Sequence, residues 1–496
     1  MRHLLRKKLI GRLLAGKGAA QLKVKVKQTR RVTADEDRPD PRSSQWYKSY
    51  VLDKHEEYRD PSTAKGKEFR RRFRVPWECF HDMVTECEAL PAFARWRRGK
   101  TDAVGRPCTP MALLVLGCLR ILGRGVVFDD IADYINCNEC TVRDFFFVFI
   151  QHWSTIKYRQ HVRLPADEEE MEEHEHDYAL GGLNGCIGSA DCCHVSWDRC
   201  NATLAVMAKG KSGFTTIAFQ LVVNHRRRIL HSSDGFLGST NDKAIARIDS
   251  FMADLHAGRN KLAAKFQFDL FCADGQAVRH TGAYILTDNG YHRWRVLQPP
   301  VLHPSNDEVS AWSENVESFR KDVGALYSLD LGRFRFCELI NIFPLAPLPI
   351  PECVFGVMKQ RWRILKTGIR LQNAAAIDQI WRTCCALHNY LLEYDGFDQA
   401  WVAGTGECPW QARVDGQGMH DKEDLETDVF ANLPENRRTR DLDLSGMVRP
   451  KVSDDVNEES AHFSLRWDLV AHFTYRKNNG RRDSAVAPIV WPCRPT

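Results

Sequence analysis

CIGSADCCHVSWD, residues 186–198, is the stretch on which the fold turns. Small and apolar residues lead up to a single acid, Asp191, as in a buried strand. Two further stretches repeat the theme. YILTDNGYHRW (284–294) closes an apolar run with Asp288, and PECVFGVMKQRWRILK (351–366) opens an amphipathic helix with Glu352. Carboxylates delivered by two strand ends and a helix start can hold two divalent metal ions for phosphodiester chemistry. Taken singly, each is ordinary: Asp at a strand end serves turns, and Glu at a helix start suits the helix dipole. Their order and flanking apolar strands are what point to a site.

Working outward, GFTTIAFQLVVN (213–224) and RRILHSSDGF (227–236) read as a hairpin around His225 and Arg226. Residues 239–255 read as a helix capped from Ser239, Thr240 or Asn241. KFQFDLFC (265–272) and GAYILTDNGY (282–291) read as short strands, followed by helices over 352–366 and 373–394. Three strands, a helix, an acid-bearing strand and an acid-bearing helix are the order of an α/β, ribonuclease H-like domain, here 183–395. On the helix starting at Glu352, Lys359, Arg363 and Lys366 fall within about 40° of the acid. Val354, Phe355, Met358, Trp362 and Leu365 gather on another side, so the cations are expected to face a polyanion.

The rest of the chain divides by composition. Residues 1–34 are rich in Lys and Arg and contain no acid. Residues 1–45 read as a basic, disordered arm suited to phosphate backbones or nuclear import. An organelle-targeting peptide is the competing reading of its amphipathic start. Residues 46–160 read as helical, with helices at 77–90, 109–122, 128–135 and 139–153. The last two flank Asn136-Cys137-Asn138 with helix-turn-helix proportions. The final helix is so apolar that only Thr141 and Arg143 remain as candidate DNA readers. The acidic run 161–182 reads as a solvated linker, and 396–496 as a loosely ordered tail with one short helix over 463–473. No apolar stretch is long enough to span a membrane, so none is expected.

Seventeen cysteines raise zinc or disulfides as alternatives. The odd count and absence of a secretory signal favour reduced thiols. Cys137 and Cys140 form a CxxC without a second pair. A zinc hydrolase using His174, His176 and Cys192 to His194 is weak, because neighbours on a strand point to opposite faces.

Taken together, GSADCCHVSWDRC, GFTTIAFQLVVN, GFLGSTND, LTDNGYHRW, the split KDV…ECVFGVMKQRWRIL and CCALHNYLLE resemble the PIF/Harbinger transposases and the nucleases derived from them. The resemblance spans about 183–394, and more weakly 46–160. It implies a DDE endonuclease that cuts transposon ends and joins them to target DNA. Asp191, Asp288 and Glu352 would be both the catalytic triad and the ligands of Mg2+ or Mn2+, two ions in all. Asp242 of GSTND matches a recurrent family Asp, expected to support the ligands. The resemblance also implies a nuclear protein, DNA as substrate, a Myb-like DNA-binding partner and assembly as a homo-oligomer.

One segment departs from the pattern. Between Asp288 and Glu352 lie 63 residues, of which 28, Gly324 to Pro351, look foreign. Without them 35 remain and KDV runs straight into ECVFGVMK. Pro344, Pro347, Pro349 and Pro351 cannot continue a helix. A translated intron or a decayed element copy would produce such an in-frame segment; a genuine loop is the alternative. The segment therefore favours a second reading, a domesticated or decayed DNA-binding protein that does not cut.

Overall fold

The computed structural model describes residues 39–52, 55–97, 99, 101, 107–210, 213–324, 354–398 and 453–479. Glu352, nearly all of the anomalous segment and the basic arm to residue 38 lie outside the described residues.

The amino-terminal region is helical, as its periodicity requires: α1 (Ala64–Phe73), α2 (Trp77–Ala89), α3 (Met111–Arg124), α4 (Phe128–Tyr134) and α5 (Glu139–His152). The four helices read from sequence agree with α2 to α5 within about two residues at each end. Helix α3 is apolar on nearly every side, with Leu113, Leu114, Val115, Leu116 and Leu119 all buried, and lies within the core. Asn138 caps α5 by accepting from the Cys140 amide at 2.8 Å.

The acidic run expected to be a linker is instead a helix, α6 (Glu168–Leu180), started by Asp167 accepting from the Glu170 amide at 2.9 Å. Its last turns are anchored. Asp177 and the Arg226 side chain are both buried, with Arg226 Nε 2.7 Å from Asp177 Oδ2 and Nη1 2.5 Å from Glu173 Oε1. Arg226→Met would leave the Asp177 charge buried without its counterion. A loss of about 3 kcal/mol is expected, read by denaturant unfolding. A loss below about 1 kcal/mol would mean that this pair does not anchor the helix.

Strands β1 (Cys186–Ser196), β2 (Thr216–Val223), β3 (Ile229–Ser232) and the short β4 (Phe236–Leu237) follow. Next come α7 (Asp242–Ile248) and α8 (Ser250–His256), then β5 (Gln267–Phe271), β6 (Ala277–Thr281), β7 (Tyr284–Leu286) and β8 (Leu297–Gln298). The main sheet runs β3-β2-β1-β7-β8, with β4 also on β2, while β5 and β6 pair apart as a hairpin. β1, β2 and β3 are antiparallel; β7 and β8 run parallel to β1. The single helix expected over 239–255 is two. Asp249 ends α7 and caps α8 through the Met252 amide at 3.2 Å. The same buried carboxylate binds His231 at 2.9 Å and Gln220 at 3.1 Å, which holds the break in place.

After the sheet come α9 (Asp307–Gly324), α10 (Val354–Arg361), the one-turn α11 (Ile364–Thr367), α12 (Ala374–Asp395) and α13 (Ser453–Asn479). All these elements lie within the unit Pro41–Thr496. Side-chain alternation gives the sheet two buried faces. Cys193, Val195, Ile217, Phe219 and Leu221 join one core with α1 to α5, α10 and α12. Ala190, Val222 and β7 join a second with α8, α9 and α13. Helix α13 is far longer than the segment expected at 463–473. Its Leu465, Leu469 and Phe473 are buried at helical spacing, and His472 Nδ1 accepts from the Phe271 amide at 2.9 Å.

Candidate active site

Strand register brings the first two acids together. β1 and β7 are parallel with Ser189 opposite Leu286. Two residues beyond that pair come Asp191, within β1, and Asp288, past the end of β7. Asp191 was expected at a strand end but lies inside β1, opposite Leu221 of β2. Only Asp288 is past its strand, in a turn where its Oδ1 accepts from the Gly290 amide at 2.9 Å.

Asp242, the first residue of α7, completes the cluster. A Cβ added at Gly290 would sit 2.9 Å from Asp288 Oδ1 and 3.1 Å from Asp242 Oδ2. Glycine therefore leaves open the space between these two carboxylates. The charges feel one another. Burial, then the neighbouring Asp288, push the Asp191 carboxyl up to about 7, while Arg320 opposes the shift and Asp242 adds to it. Arg320, on α9, is gripped by Glu317 at 2.6 and 2.9 Å, and its Nη1 lies 3.8 Å from Asp191 Oδ2. Cys192 Sγ and the Tyr291 hydroxyl meet at 3.4 Å beneath the cluster. Burial and the nearby Asp242 hold that thiol well above its usual range.

The chemistry of these donors is the kind a hard divalent cation prefers. The three side chains offer only oxygen, they repel one another, and the Gly290 cradle keeps a gap between two of them. Among the described residues, no group of three or more His, Cys, Asp or Glu side chains is placed so that it could by itself hold a metal ion. The third expected ligand, Glu352, lies outside the described residues.

The cations expected beside Glu352 are arranged differently from the helical projection. The helix does not continue to residue 366 but stops at Arg361 and resumes as α11 at Ile364. Lys359 turns inward, donating to the His194 carbonyl at 2.9 Å. Arg363 is half-buried, and Lys366 is exposed. Arg143 sits on α5 within 3.9 Å of Glu139 and donates to Cys140 Sγ at 3.4 Å. The outward side of α5 also carries Asp144, paired with Arg95 at 3.2 Å, so it is mixed in charge. Phe145, Phe146, Phe149 and Ile150 bury its other side.

The residues of the zinc reading do not gather. Cys193 is buried in the first core, His194 Nδ1 meets Thr216 Oγ1 at 3.0 Å, and His174 is on α6. Arg320 was missed from sequence. The signal that would have found it is arithmetic: with KDV joined to ECVF, Arg320 stands four residues before Glu352, one helical turn away.

Residues 160–341 match a family described as plant transposon protein, and residues 349–389 match the DDE superfamily endonucleases. The chain is also similar to a protein of Arabidopsis thaliana named "Protein ALP1-like". The two are 22% identical over 297 residues, 60% of this chain and 64% of that relative. The chain thus spans less than two thirds of that relative's length. No solved structure matches. These similarities support a DDE transposase-related family, and the mixed α/β architecture is consistent with a DDE nuclease domain. The two family matches end and begin at 341 and 349, inside the anomalous segment.

Proposed function

We propose that this chain is a metal-dependent DNA endonuclease of the Harbinger transposase type, with Asp191, Asp288 and Glu352 as its triad. The observation that carries the reading is the parallel β1–β7 pairing, which brings Asp191 near Asp288 and Asp242. The strand order, with three antiparallel strands extended by two parallel ones, supports a ribonuclease H-like domain. Bound Mg2+ or Mn2+ would activate the attacking oxygen and stabilise the leaving one. Asp191 and Asp288 hold the cations, Asp242 supports them, and Gly290 keeps the space between carboxylates open. Arg320 restrains Asp191 and offsets its charge. Lys366 and Arg363 supply contacts to the DNA backbone, with Lys359 and Arg143 as further candidates. Transposon ends are the substrate, with a Myb-like partner and a homo-oligomer as the working assembly. The test is Mg2+- or Mn2+-dependent cleavage of DNA carrying the element's ends, with and without residues 324–351. The 28-residue segment ahead of Glu352 favours the second reading, a DNA-binding protein of the same fold that does not cut.

Nuclear accumulation is part of the proposal and is supported by the acid-free stretch 1–34. Deleting residues 1–34 is expected to reduce the nuclear share of a fluorescent fusion severalfold. An unchanged distribution would remove the arm from the import mechanism.

A further inference from the structure

The connection between β1 and β2, residues 197–215, carries an unusual surface. Val206 is 80% exposed, and Met207 and Phe214 are each 49% exposed. Arg199 and Lys209 of the same connection are exposed, and no carboxylate among the described residues pairs with either. From Arg199 to Thr215 the sequence contains cations and no acid.

The connection borders the carboxylate cluster. The Ser239 amide donates to the Met207 carbonyl at 3.1 Å, three residues before Asp242. Gly238 seats the contact closely: a Cβ there would lie 2.5 Å from the Ala208 carbonyl. On the other flank, the Ile369 amide donates to the Ser196 carbonyl at 3.0 Å, tying the chain that follows α10 to the base of the connection. One neighbour of this surface thus leads into Asp242, and the other follows the helix expected to begin at Glu352.

Exposed apolar side chains among unpaired cations suit a polyanion with apolar faces. Bases freed from the helical stack offer those faces, and the adjoining phosphates attract the cations. We infer that the described parts of this connection, 197–210 and 213–215, form a DNA-contacting wedge that packs Val206, Met207 and Phe214 against unstacked bases at the cleavage end. Arg199 and Lys209 hold the flanking phosphates. This inference rests on the proposed nuclease reading but fails separately from it, because its test needs no cleavage.

The full chain is titrated, in EDTA, against a fluorescein-labelled blunt duplex and the same duplex with a few unpaired nucleotides at one end. The forked DNA is expected to bind about tenfold more tightly. The combined variant Val206→Ser, Met207→Ser, Phe214→Ser is expected to lose that preference while keeping its affinity for the blunt duplex. Arg199→Gln with Lys209→Gln should weaken both complexes and lower the salt dependence by about two phosphate contacts. Equal binding of the two DNAs by the native chain, or a preference that survives the serine substitutions, would overturn the wedge. So would failure to bind either DNA. Absence of metal-dependent cleavage alongside a fork preference would instead count against the nuclease reading alone.

Discussion

Asp288→Ala abolishes metal-dependent DNA cleavage, by at least about 1,000-fold, with little change in DNA affinity: that is the expected result for a carboxylate that holds catalytic cations. The geometry says why binding should survive. Asp288 sits past the end of β7 in a turn, where it accepts from the Gly290 amide. The strands beneath it are held by other residues: Tyr284, Ile285 and Leu286 are fully buried. Removing the carboxylate also relieves repulsion on Asp191, whose carboxyl is pushed up by burial and by Asp288. Asp191→Asn is expected to behave alike in cleavage. Cleavage rate and DNA affinity, measured on the same preparation, decide the matter. If affinity falls as far as the rate does, Asp288 is a structural residue and the triad is misassigned.

Removing residues 324–351 is expected to raise the cleavage rate by about 100-fold or more, on the scale that a misplacement of about 1 Å costs. Helix α9 ends at Gly324 and α10 begins at Val354, and the two pack against each other. Joining Val323 to Glu352 would place Glu352 four residues after Arg320, on the same side of a continuous helix. Arg320 already reaches toward Asp191, at 3.8 Å. The joined chain would thus carry Glu352 one turn onward from a side chain that borders the cluster. Cleavage only by the shortened chain would establish the triad and identify the segment as damage to it. Equal cleavage by both chains would make the segment a tolerated loop. If neither cuts while DNA binding is intact, the non-cleaving reading replaces the nuclease.

Much of this was legible in the chain itself because local pattern decides local structure. The apolar run before Asp191, the alternation in GFTTIAFQLVVN and the helical spacing of Val142, Phe145, Phe146 and Phe149 each specify an element whose inward face is set within a few residues. Breaks in those elements were not legible. The stop at Asp249 depends on His231 and Gln220, brought to that carboxylate by the sheet. The inward turn of Lys359 depends on the His194 carbonyl, 165 positions away. The acidic run 168–180 looked solvated because its main buried counterion, Arg226, is 49 positions from Asp177.

By itself, then, the sequence nominated candidates for the chemistry: two acids closing strand-forming stretches, a third expected at a helix start, and a segment that splits them from their motif. Tertiary structure alone decided which of them meet. The parallel pairing of β1 with β7 closes a loop of about a hundred residues, and no local preference specifies such a register. That pairing brings Asp191 near Asp288, and α7 and α9 add Asp242 and Arg320. Carboxylates converge only where burial of distant apolar faces outweighs their mutual repulsion, a balance set by the whole fold.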